Sequence, residues 1–123
     1  MRAATRRTGR EVLKTGMETF SLRDLEKRVQ ERAQAAPGGS YTRTLLDKGV
    51  AHCAKKLGEE AVEVALAAAT EDRERVVEET ADLLYHLLVV MHARGISLAD
   101  VEAALAARTR RSGLDEKAAR KGG

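Results

Sequence analysis

Two long helix-forming stretches, Val50 to Ala69 and Arg73 to Arg94, are separated only by Thr70 to Asp72. A link this short makes them an antiparallel pair. The rest of the chain must pack around that hairpin. Composition points the same way. There is one proline, Pro37, and aromatic residues make up 2% of the chain. The core must therefore be built from Leu, Val and Ala, which pack helices well. A length of 123 residues suits one domain. The expected fold is all-α, a bundle of about four to five helices. So short a chain, with so little aromatic mass, is also expected to complete its core by homo-oligomerisation, as at least a dimer. Tyr85 and Leu88 are the interface candidates.

Local signals divide the remainder. Ser21, with Asp24 three residues on, opens a helix to about Gln34, whose apolar stripe is Leu22, Leu25, Val29 and Ala33. The segment APGGS ends it, and SYTRTLLDKG reads as a short helix or turn capped by Ser40. Gly95 is a natural stop after Arg94, and Ser97 caps a last helix with the stripe Leu98, Val101 and Leu105. Gly58, inside the second long helix, costs roughly 1 kcal/mol against alanine. It calls for close helix contact or room for a ligand.

The net charge of +3 hides an uneven distribution. Residues 1–16 hold five basic residues and one acidic residue, and residues 108–123 hold six and two. The stretch between holds eleven basic and sixteen acidic residues. The domain is expected to span 17–108, with a basic extension at 1–16 and a basic tail at 109–123. Basic ends without interleaved aromatics argue for solvated tails rather than nucleic-acid binding. No apolar run approaches the roughly 20 residues of a membrane span. Cys53 is the only cysteine, so no internal disulfide can form, and a cytoplasmic location is expected.

The long helices carry an anomaly. In GEEAVEVALAAAT, residues 58–70, the apolar residues Val62, Val64, Ala65, Leu66, Ala68 and Ala69 read as buried, yet Glu59, Glu60 and Glu63 lie against them. In EETADLLYHLLVV, Glu79 and Asp82 precede a long apolar run. At about 100° per residue, Glu60 and Glu63 fall about 60° apart. His52, Lys56 and Thr70 share their sector, and Leu57, Ala61, Ala65 and Ala68 take the other side. Arg75, Glu79, Asp82 and His86 likewise share a sector of about 60°. If the hairpin lets the two stripes converge, four carboxylates meet. Like charges brought together repel, and a divalent cation removes the conflict. Hard oxygen ligands favour Mg²⁺, with Mn²⁺ also suitable. The plainer alternative is a pair of solvated acidic faces, with Arg75 and Glu79 a surface pair.

Glu-Glu-x-x-Glu on one helix and Glu-x-x-Asp on the next resemble the signature of the all-α nucleoside-triphosphate pyrophosphatase superfamily. With SYT at 40–42, KLGEEAVE at 56–63 and ADLLYH at 81–86, the chain is most similar to the phosphoribosyl-ATP pyrophosphatase family over Phe20 to Arg108. That resemblance implies hydrolysis of phosphoribosyl-ATP to phosphoribosyl-AMP and pyrophosphate, the second step of histidine biosynthesis. It implies Glu60, Glu63, Glu79 and Asp82 as Mg²⁺ ligands. Glu59, Glu60 and Glu63 are candidates for orienting or activating water. Substrate contacts are expected from Ser40, Tyr41 and Thr42 through their hydroxyls, and from Lys48, Lys56 and His86. Arg43 and Lys55 are further basic candidates, Lys55 reading better as a solvated base. His86 reads equally as a structural histidine, and Tyr85 as core or interface. Two other readings are a MazG-like housekeeping pyrophosphatase with the same metal site and a non-enzymatic, basic-tailed helical binding protein.

Overall fold

The computed structural model describes residues 19–110. The expected tails fall almost wholly outside that range. Among the described residues there are five helices and no strands: α1 (Leu22–Ala33), α2 (Tyr41–Asp47), α3 (Val50–Thr70), α4 (Arg73–Ala93) and α5 (Leu98–Arg110). Each boundary has a local cause. Ser21 and Asp24 form a reciprocal capping box at α1. The Ser40 hydroxyl accepts the Arg43 amide at α2, and the Asp72 carboxylate accepts the Arg75 amide at α4. After α4 the chain turns left-handed at Gly95, with φ of 70°. The Gly95 amide then reaches the His92 carbonyl and the Ile96 amide the Met91 carbonyl, which seals the helix end. Asp100 pairs with Ser97 at the start of α5, and the Ser97 amide holds its carboxyl below the ordinary range.

α3 and α4 pack along their length as the expected hairpin, and α1 and α2 lie against the second half of α4. The core is Val29, Leu45, Cys53, Leu88, Val89, Met91 and Leu98, flanked by Leu25, Leu46, Tyr85 and Val90. Leu88 is therefore not an interface residue. It is 4% exposed and already enclosed by the chain's own helices. Glu26 ties α5 to α1 by accepting the Leu98 amide at 2.8 Å, beside an Arg23–Glu102 ion pair.

The orientation of α3 corrects the sequence reading. Its inward face is Cys53, Leu57, Glu60, Val64 and Ala67, a strip that holds one of the carboxylates. Ala61, Val62, Ala65, Leu66, Ala68 and Ala69 are exposed. The phase of the helix is set by its contact with α4, and a strip of alanines offers too little area to override that contact. In α5 only Leu98 is buried, while Val101 and Leu105 stay exposed. An alanine β-carbon placed at Gly58 would meet nothing within 4 Å, so no close helix contact within the chain explains that glycine.

Candidate metal centre and nucleotide site

Glu60 sits in the middle of the inward strip of α3, and Glu79 lies opposite on α4 at 6% exposure. Asp82 follows Glu79 by three residues, so both project from one side of α4. The hairpin thus brings Glu60, Glu79 and Asp82 together, with one carboxylate oxygen of each within 4.8 Å of the others. Glu79 is paired with an arginine: Arg75 Nη2 lies 2.7 Å from its Oε2, and Arg75 also approaches Glu78. A buried carboxylate requires such a partner. The three acidic side chains offer hard, acceptor-only oxygens at mutual distances a small divalent cation can bridge.

The other candidates fall into place around this trio unequally. Glu63 is exposed and not one of the three clustered carboxylates. Glu59 is exposed and pairs with Lys56 at 3.3 Å. The Glu59 carboxylate, hydrogen-bonded to Lys56, holds that ammonium above the ordinary lysine range, helped by Tyr41 and Glu60. Lys56 therefore lies in the field of Glu59, Glu60 and the α2 tyrosine. His86 is buried one turn beyond Asp82. Burial pushes its pKa down, opposed first by Glu60 and then by Asp82 and Glu59. Its Nδ1 is enclosed and has no hydrogen-bond partner.

Hydroxyls expected to contact substrate are partly committed within the protein. Ser40 Oγ donates to the Arg32 carbonyl at 2.9 Å and accepts from the Arg43 amide. Thr42 is 2% exposed and shares a 2.6 Å hydrogen bond with the Tyr85 hydroxyl. Tyr41, by contrast, is 56% exposed. Its ring stacks on Tyr85 at a centroid distance of 6.3 Å and meets His86 edge-on at 6.2 Å. Arg43 turns away from the acids, bonding Asp47 and the Ala35 carbonyl. Lys48 caps the far end of α2, and Lys55 is exposed on α3. The Thr42–Tyr85 bond has no signature in the sequence. Its partners stand 43 residues apart, and no local pattern links them.

Residues 22–109 match the family described as phosphoribosyl-ATP pyrophosphohydrolase. A phosphoribosyl-ATP pyrophosphatase of Azorhizobium caulinodans is 61% identical over 103 residues, covering 84% of this chain and 94% of that protein. Phosphoribosyl-ATP pyrophosphatase 1 of Bradyrhizobium diazoefficiens is 58% identical, covering 85% of this chain and 99% of its own length. The phosphoribosyl-ATP pyrophosphatase of Rhizobium meliloti is 55% identical over 104 residues, covering 85% and 97% respectively. The match extends through all five helices, the carboxylate trio included, and the chain belongs to the phosphoribosyl-ATP pyrophosphohydrolase family.

Proposed function

We infer that this chain hydrolyses phosphoribosyl-ATP to phosphoribosyl-AMP and pyrophosphate, a step of histidine biosynthesis. The observation that carries the reading is the trio Glu60, Glu79 and Asp82, gathered inside the hairpin of a chain that matches the family over nearly all its described length. Three converging carboxylates fit Mg²⁺, or Mn²⁺, better than a softer ion. Glu60, Glu79 and Asp82 would hold it, with Glu63, one turn beyond Glu60, as the fourth expected ligand. The bound ion would neutralise charge on the diphosphate leaving group.

The protein's own groups supply the rest. Arg75 pairs with Glu79 and orients its carboxylate. Lys56 is the cation best placed for a phosphate, since it lies beside Glu59 and feels both Glu60 and Tyr41. Glu59, Glu60 and Glu63 are the carboxylates from which a water is oriented for attack on the α-phosphorus. Ser40 and Thr42, engaged internally, act by fixing α2, which leaves Tyr41 as the member of that stretch open to substrate. His86, buried beside Glu60 and Asp82, contributes a neutral imidazole at the edge of the site. Lys48 is retained only as a peripheral basic group.

Assembly forms part of the proposal. Val62 and Leu66 on α3, Val77 on α4, and Val101 and Leu105 on α5 are all exposed in the single chain. Covering them with a second copy would bury apolar area that one copy leaves in water. None of the described helices is long and apolar enough to cross a membrane. A buried free thiol at Cys53 suits the cytoplasmic location proposed for it. The reading is tested by pyrophosphate release from phosphoribosyl-ATP with Mg²⁺. Release that is equal on ATP, dUTP and dCTP would contradict it.

A further inference from the structure

Tyr41 stands out among the residues at the site. It is the more exposed of the two tyrosines and lies at the start of α2, yet its ring is not loose. It stacks on Tyr85, at an interplanar angle of 19°, and His86 meets it edge-on at 88°. Tyr85 is itself held by the Thr42 hydroxyl and packed on the core. His86 also meets Tyr85 edge-on, at 5.1 Å, which closes the group. One side of a rigid, three-ring wall is therefore fixed to the core, and Tyr41 carries its exposed surface.

This wall adjoins the acidic trio. His86 lies four residues, about 6 Å along the helix axis, beyond Asp82. Lys56 links the two regions from α3, since it pairs with Glu59 and also lies in the field of Tyr41. A nucleotide whose phosphates lay at the trio and Lys56 would have the exposed Tyr41 ring within reach of its base. The base of phosphoribosyl-ATP differs from that of ATP. A sugar on adenine N1 blocks the ring nitrogen and makes the exocyclic amidine far more basic. At neutral pH the ring then carries positive charge. An electron-rich aromatic face attracts such a cation more strongly than it attracts neutral adenine.

Building on the function proposed above, we propose that the exposed ring of Tyr41, backed by Tyr85 and His86, is the platform for the N1-substituted adenine and selects it over ATP. The ring, not the hydroxyl, makes the contact. Tyr41 is thus a specificity-determining residue, and Thr42 and Tyr85 are positioning residues that keep its plane fixed.

The test compares wild type, Tyr41→Phe and Tyr41→Leu, each checked by circular dichroism and thermal melting. Two readouts are used: pyrophosphate release from phosphoribosyl-ATP and from ATP, and calorimetric binding of 1-methyl-AMP against AMP. Tyr41→Leu should lower kcat/KM for phosphoribosyl-ATP on the order of tenfold, mainly through KM. It should also abolish any preference of the protein for 1-methyl-AMP. Tyr41→Phe, which keeps the ring, should recover most of both. The proposal is overturned if Tyr41→Phe loses as much as Tyr41→Leu, if Tyr41→Leu retains the discrimination, or if wild type binds the two monophosphates equally. The binding comparison stands even if wild type releases no pyrophosphate, an outcome that would count against the function proposed above and not against the platform.

Discussion

Glu79 is a charged group 6% exposed in a core with few other polar side chains, so its neighbours must explain it. Arg75 does so in the free protein. Replacing Arg75 with alanine should lower stability by about 1 kcal/mol without metal, since half of Arg75 faces solvent and screens the pair. Saturating Mg²⁺ should recover that loss, because the ion would supply the missing positive charge. Urea melts with and without Mg²⁺ measure it, and a deficit untouched by Mg²⁺ would count against a metal at Glu79. Asp82→Asn should leave the helices intact and reduce turnover on the order of 100-fold or more. His86 makes a separate prediction. Its pKa is lowered by burial from the usual 6.5, so below pH 6.5 the unfolded chain takes up a proton that the native protein resists. Stability should fall as pH drops through 6.5 towards the native pKa, and His86→Gln should flatten that part of the profile. A wild-type profile without that slope, measured by denaturant melts between pH 7 and 5 (about the range over which histidine titrates), would show that His86 is not held neutral by its burial. Asp100, whose depressed pKa adds stability above its ordinary value of 3.8, acts in a lower window.

At the scale of elements, helix ends were legible and helix phases were not. Ser21, Ser40, Asp72 and Ser97 each announce a start because a short polar side chain can satisfy a free amide, whatever the tertiary context. Gly95 announces a stop for a similarly local reason, the left-handed turn at φ of 70°. Gly95→Ala should therefore cost about 1–2 kcal/mol, read as a lower Tm, while the same change at Gly58 should not destabilise. Which way α3 faces is a different kind of question. Its polar and apolar stripes were visible in the sequence, but the strip pressed on α4 holds Glu60 and leaves Val62 and Leu66 outside. That choice depends on where α4 lies. For the same reason the motif groups Glu60, Glu79 and Asp82, but it does not reveal that Glu63 is exposed and outside that cluster. The Thr42–Tyr85 bond joins helices distant in sequence and had no local signature at all.

For the whole molecule, the exposed apolar residues on α3, α4 and α5 form the strongest argument for a second copy. Leu88 does not supply that surface, since it is buried in the core, and Tyr85, partly buried, packs against that core. Leu66→Lys should instead weaken association, because covering an ammonium costs several kcal/mol. Sedimentation equilibrium should find wild type at least dimeric at micromolar concentration, and a monomeric wild type of full activity would contradict the shared surface. Three carboxylates inside this hairpin, in a chain of this family, make a phosphoribosyl-ATP hydrolase. Pyrophosphate release from phosphoribosyl-ATP, compared with ATP, dUTP and dCTP at saturating Mg²⁺, tests it most directly. Release from phosphoribosyl-ATP should lie far above that from the other three and be lost in Asp82→Asn. Wild-type release in that variant, or no preference among the four nucleotides, would contradict it.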